Sequence, residues 1–103
     1  MGSTLTPEEV LDVFKKEFIE FNFMKHSRKR ECVYIRYIFF NLCYKKHQVA
    51  LSYLGNMFLE KYDHATVLHG IKTCNSLIET KDPSFKLIYD RAIKALELSL
   101  IHI

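Results

Sequence analysis

A chain of 103 residues, 49% of them apolar and including eight Phe and six Tyr, supplies one core, has no room for a second domain and lacks a disordered composition. Three cysteines, Cys32, Cys43 and Cys74, are odd in number and without CxxC spacing, which argues against a disulfide framework or zinc cluster and leaves buried thiols in a reducing cytosol. The net charge of +3 is uneven: residues 1–24 sum to −3, residues 25–46 to +6 and the remainder to zero, so the positive charge sits in one block suited to a polyanion or to plain solvation.

No apolar run is long enough to span a membrane, and residues 1–7 lack the basic-then-apolar order of a signal peptide. A soluble, cytoplasmic protein with no membrane partner is the expectation. With three Gly, two Pro and apolar residues at helical spacing, the chain reads as all-α, a compact bundle of about five helices over residues 1–103.

The first helix opens at "TPEE", with Thr6 as N-cap, Pro7 at the first helical position and Glu9 placed for a capping box. Val10, Leu11, Phe14 and Phe18 form its inward stripe. The basic stretch Met24 to Glu31 breaks the periodicity and reads as a loop, followed by a second helix from about Lys29 to Tyr44. Val33, Tyr34, Tyr37, Ile38, Phe40, Leu42 and Cys43 make that helix apolar around much of its circumference, as befits a central helix.

A turn at Lys45 and Lys46 leads to a third helix from about His47 to Leu59, with Ala50, Leu51, Leu54, Met57 and Phe58 inward and Gly55 permitting close approach of a neighbour. The fourth runs from Asp63 to about Ile78, and the fifth follows "KDPS", with Asp82 as cap and Phe85, Ile88, Ala92, Leu96 and Leu100 inward.

On the fourth helix Val67, Leu68, Ile71, Cys74 and Ile78 share one arc, the expected buried side. Ala65, Thr66, His69, Lys72, Thr73 and Ser76 lie opposite, with no acid among them. Small hydroxyl and methyl groups beside a His and a Lys suit the DNA major groove, where Thr bonds base edges and an alanine methyl meets thymine. Asp63 reads first as the N-cap, with acceptance from a cytosine amino group as a second role. His64 either bonds locally or projects past the helix end. The third and fourth helices, about residues 47–78, form a helix-turn-helix.

The stretch "LSYLGNMFLEKYDHATVLHGIK" resembles the C-terminal DNA-binding domain of the DnaA family of bacterial replication initiators, which carries a Trp repressor-like helix-turn-helix. Leu51, Leu54, Gly55 and Phe58 match the family's first part. Asp63, His64, Thr66, Val67, Leu68 and His69 match its "DHTTVLHA". The resemblance extends more loosely over residues 8 to 100. It implies sequence-specific binding of double-stranded DNA in replication initiation or its control, with Asp63, His64, Ala65, Thr66 and His69 at bases or nearby phosphates. Arg28 would reach the minor groove, with Lys29 and Arg30 as close substitutes.

Lys45, Lys46, Lys61, Lys72 and Thr73 complete the expected backbone contacts. Ala65 stands where the family has a threonine, and "LEKY" replaces a Gly-Gly-Arg turn. No GxxxxGK[ST] loop occurs, so neither nucleotide nor any other cofactor is expected on this stretch. No catalytic residues and no metal site are expected: His64 and His69 lie about 140° apart on a helix, and no nucleophile-base pair is legible. Two further readings remain, a protein-interaction module that kept the fold, its apolar tail "LSLIHI" docking a partner or a second copy, and a small transcriptional repressor.

Overall fold

The computed structural model describes residues 5–25, 28–47, 49–59 and 61–101, with the side chains of residues 100 and 101 outside that description. Its helices are α1 (Pro7–Glu17), α2 (Arg30–His47), α3 (Leu51–Gly55), α4 (His64–Thr80) and α5 (Pro83–Ile101), with no strand among the described residues. None of these helices is long and apolar enough to cross a membrane.

Each helix start has a local cause. Thr6 closes the capping box: its hydroxyl accepts from the Glu9 amide at 3.2 Å, and the Glu9 carboxylate accepts from the Thr6 amide at 2.9 Å. Asp82 Oδ1 accepts from the Phe85 amide at 2.9 Å, which starts α5 behind Pro83. Lys81 ends α4 in the left-handed region at φ 56°, its amide donating to the carbonyls of Leu77 and Ile78.

Helix α2 is the centre of the bundle, burying Cys32, Ile35, Ile38, Phe39, Phe40, Leu42 and Cys43. Phe14 of α1, Phe39 and Phe40 of α2 and Phe58 form a chain of edge-to-face or tilted rings with centroids 5.4–6.1 Å apart. Such pairs add about 0.5–1.5 kcal/mol each beyond their area. Burial pushes the thiols of Cys43 and Cys74 up to about 12, so both are unreactive packing groups, and all three cysteines are free and buried.

Helix α5 is fastened to α1 by Arg91. Its Nε donates to Glu17 Oε2 at 2.9 Å, its Nη1 to Glu20 Oε2 at 3.0 Å and its Nη2 to the Glu17 carbonyl at 2.7 Å, while the guanidinium lies 4.7 Å from the Phe18 ring centroid. Phe85, Ile88 and Ala92 are buried as the apolar pattern requires, and Leu96 is half-buried; the inward placement of Leu100 lies outside the described residues.

The middle of the chain departs from the sequence reading. Lys45, Lys46 and His47 continue α2 for a last turn instead of breaking it, because cations at a helix C-terminus oppose the negative end of its dipole. The third helix is five residues, Leu51–Gly55, rather than a span from His47 to Leu59. It stops because the chain folds back: the Tyr62 amide donates to the Gly55 carbonyl at 3.1 Å and the Met57 amide to Leu54 at 3.2 Å. Ala50, expected inward, precedes the helix and is exposed, whereas Leu54 and Phe58 are buried.

Candidate nucleic-acid interface

The N-terminus of α4 is built by Asp63. Its Oδ1 accepts from the Thr66 amide at 2.9 Å, and that backbone bond, followed by one from the Thr66 hydroxyl, holds the carboxyl below the usual carboxylate range. Capping is therefore the role of Asp63 seen in the structure. His64, Ala65 and Thr66 are all exposed in the first turn.

The buried side of α4 is Val67, Gly70, Ile71 and Cys74, with Leu77 half-buried. Leu68 and Ile78, expected inward, are each 37% exposed. The arc is displaced towards Gly70 because a side chain there has no space: a Cβ on Gly70 would lie 2.7 Å from Tyr37 Cδ1 and 3.2 Å from Phe40 Cδ2. Leu68 is thereby turned to the rim of the packed side. The outward face follows from the same rotation. Ala65, His69, Lys72 and Ser76 lie within about 60° of one another, and all four are exposed. The first four turns of α4 carry no acid; Glu79 is at its far end.

Two contacts fix where α4 stands. Gly55 is buried against it: a Cβ there would overlap the Tyr62 carbonyl oxygen and come within 3.2 Å of Val67 Cγ2, so glycine allows the connection and α4 to close on α3. The anticipated close neighbour at Gly55 thus includes the returning backbone as well as a helix. On the other side Asn41, buried in α2, donates through Nδ2 to the Ile71 carbonyl at 3.3 Å and to Asn75 Oδ1 at 2.8 Å. A lone Asn within "FFNLC" is the sequence signal for such a buried tie, and periodicity alone passes over it.

The cations collect around this helix. Arg28, Lys29 and Arg30 are exposed at the entry to α2; residues 26 and 27 of that loop lie outside the described residues. The loop is joined to the segment before α4, since the Leu59 amide donates to the Met24 carbonyl at 3.2 Å. Arg36 strengthens that junction. It is buried, donates through Nη1 to the carbonyls of Phe23 at 3.3 Å and Lys25 at 3.0 Å, and lies 5.5 Å from the Tyr62 ring centroid.

Arg36 thus leaves the set of basic residues of the 25–46 block that can meet a ligand. Lys61 is exposed in the same junction, although residue 60 of the "LEKY" turn is outside the described residues. At the other end, Lys45 and Lys72 line one shallow groove with Asn75, Ser76, Ile78 and the acid Glu79, and Lys46 is exposed beside it in sequence. Among the described residues, Arg28, Arg30, Lys45, Lys46, Lys61 and Lys72 have no carboxylate partner. Thr73 is half-buried, with its hydroxyl 3.4 Å from His69 Nε2, so it meets a neighbouring side chain as well as solvent.

Together these features describe an all-helical bundle that holds one helix at its surface with a neutral-to-basic outer face and cations at both ends. Over 93 residues, 88% of its length, the chain is 34% identical to the chromosomal replication initiator protein DnaA of Lachnoclostridium phytofermentans. The match covers 20% of that protein, so the chain spans about a fifth of the length of this curated relative. No family model and no solved structure matches the chain.

Proposed function

We propose that this chain binds double-stranded DNA in a sequence-specific manner, in replication initiation or its control, through a helix-turn-helix of the Trp repressor-like kind made by α3, the connection 56–63 and α4. The N-terminal half of α4 enters the major groove. Ala65, Thr66 and His69 face the bases there, and His64 and Asp63 lie at the helix end, where Asp63 combines capping with acceptance from a cytosine amino group.

Arg28, Lys29 and Arg30 run along the backbone into the adjacent minor groove, while Lys45, Lys46, Lys61 and Lys72 bind phosphates and release counterions. The reading is of a cytoplasmic binding module, with no catalytic step, metal or bound nucleotide. The observation that carries it is the outward face of α4: exposed small, hydroxyl and imidazole side chains, free of acid over four turns and bracketed by exposed cations. The similarity to a segment of a chromosomal replication initiator supports the same assignment.

Fluorescence-anisotropy titration of the protein against a duplex carrying the DnaA box and against random duplexes, each at two salt concentrations, tests it. Neutralising about 4 to 6 phosphates gives a log K against log salt slope of about −4 to −5. Preferential binding of the box is the expected result. Salt-sensitive binding to both alike keeps DNA as ligand and directs a selection for another site; no binding to either at low salt favours the protein-interaction module instead.

A further inference from the structure

The outward face of α4 contains one side chain that is held from outside its own turn. The ring of Tyr37, on α2, meets the ring of His69 edge-on, with centroids 6.1 Å apart and planes at 86°. The Thr73 hydroxyl, one turn on, lies 3.4 Å from His69 Nε2, long for a hydrogen bond but on the same ring. Tyr37 can reach this place because residue 70 is glycine: its missing Cβ would fall 2.7 Å from Tyr37 Cδ1 and 3.0 Å from Cε1. The aromatic residue on one helix and the glycine on the other therefore form a matched pair beside the histidine.

We infer that Tyr37 and Thr73 are positioning residues for His69, fixing the plane of its imidazole before DNA arrives, and that neither needs to touch DNA itself. The inference rests on the DNA-binding reading above and deepens it by assigning the source of His69's orientation. A long exposed side chain must lose rotamer freedom when it reads a base; one already seated against an aromatic edge loses less, so the same contact yields more discrimination. Thr73 thereby changes role from a backbone contact to a support for its neighbour. Tyr37 acquires a role that its place on the apolar face of α2 does not suggest.

The experiment has two arms. In the free, isotopically labelled protein, NMR should show nuclear Overhauser contacts between the Tyr37 and His69 rings, retained in Tyr37→Phe, and His69 side-chain couplings of a single rotamer that average towards free rotation in Tyr37→Leu, with the far-UV circular dichroism unchanged; averaged couplings already in the wild type would overturn the inference. In the second arm, anisotropy compares the DnaA-box and random duplexes for wild type, Tyr37→Leu, His69→Ala and the double variant.

Tyr37→Leu should lower the box-to-random preference about 3- to 10-fold in the wild-type background, Tyr37→Phe should restore it, and Tyr37→Leu should have no further effect once His69 is Ala. Equal losses with and without His69, or a failed rescue by Phe, would overturn the inference and leave DNA binding standing. Salt-sensitive wild-type binding that prefers no duplex would also overturn the inference, since His69 would then supply no discrimination for Tyr37 to support, and would leave DNA binding standing. Absence of wild-type binding to every duplex at low salt would instead overturn the DNA reading, and this inference with it.

Discussion

The surface of α4 and the surface shared by α1 and α5 differ in the company their cations keep. On the α1–α5 side acids and bases answer one another: Arg91 joins Glu17 and Glu20, and Lys86 pairs with Asp90 at 2.8 Å. Lys15, Lys16 and Lys94 of these helices have no ion pair among the described residues, but they stand among the acids Glu8, Glu9, Asp12 and Glu97, so this side carries charge of both signs. Around α4, Lys45, Lys46, Lys61 and Lys72 have no carboxylate partner among the described residues, and the helix between them has none to offer before Glu79. A net charge of +3 conceals this division; the arrangement of acids and bases, more than the total, supports the proposed DNA-binding face.

The largest effect is expected from Gly55→Ala, which forces a Cβ onto the Tyr62 carbonyl and unseats the connection that presents α4. Overpacking of this kind costs about 1–3 kcal/mol, and because the obstruction is backbone the loss belongs at the upper end, read as a fall in the urea midpoint. Charge reversal comes next. Lys45→Glu with Lys46→Glu should weaken DNA binding about 10- to 100-fold at low salt and flatten the salt slope by about 2, since each lost phosphate contact removes about one from it. The same reversal at Lys15 and Lys16 of α1 should change affinity less than about 2-fold, being remote from the proposed face.

Thr66→Ala acts within the α4 face itself. Loss of a base contact should cost about 1–3 kcal/mol on the preferred duplex and little on random DNA, measured by anisotropy. On the opposite side, Arg91→Ala should lower stability by about 1 kcal/mol, a modest figure because the ion pairs are partly solvated, and leave DNA affinity unchanged. The smallest effect is a gain: Lys81→Gly removes the left-handed strain at the end of α4 and should raise stability by about 0.5–1 kcal/mol in thermal unfolding.

What the sequence discloses follows from how local each cause is. The Thr6 capping box and the Asp63 and Asp82 caps are each set within four residues, and all three stand where the residues place them. The length of α3 depends on Tyr62 returning to Gly55, a contact made only after the chain folds, and helical periodicity overextends it. Leu68 and Ile78 fit the apolar arc, yet are turned partly outward by the seat that Tyr37 and Phe40 make at Gly70.

At the candidate site, the exposure of Ala65, Thr66, His69 and Lys72 is legible from 3.6-residue spacing. That Arg36 turns inward to two carbonyls, and that Tyr37 lies against His69, depends on neighbours from distant parts of the chain.

Whether α4 is the DNA-binding face is read most directly from a backbone amide NMR titration of the labelled protein with a duplex carrying the DnaA box. The shifts should concentrate at residues 28–30, 45–46 and 61–73 and leave the outer sides of α1 and α5 undisturbed. Shifts confined to α1 and α5, or none anywhere at low salt, would contradict that reading of α4.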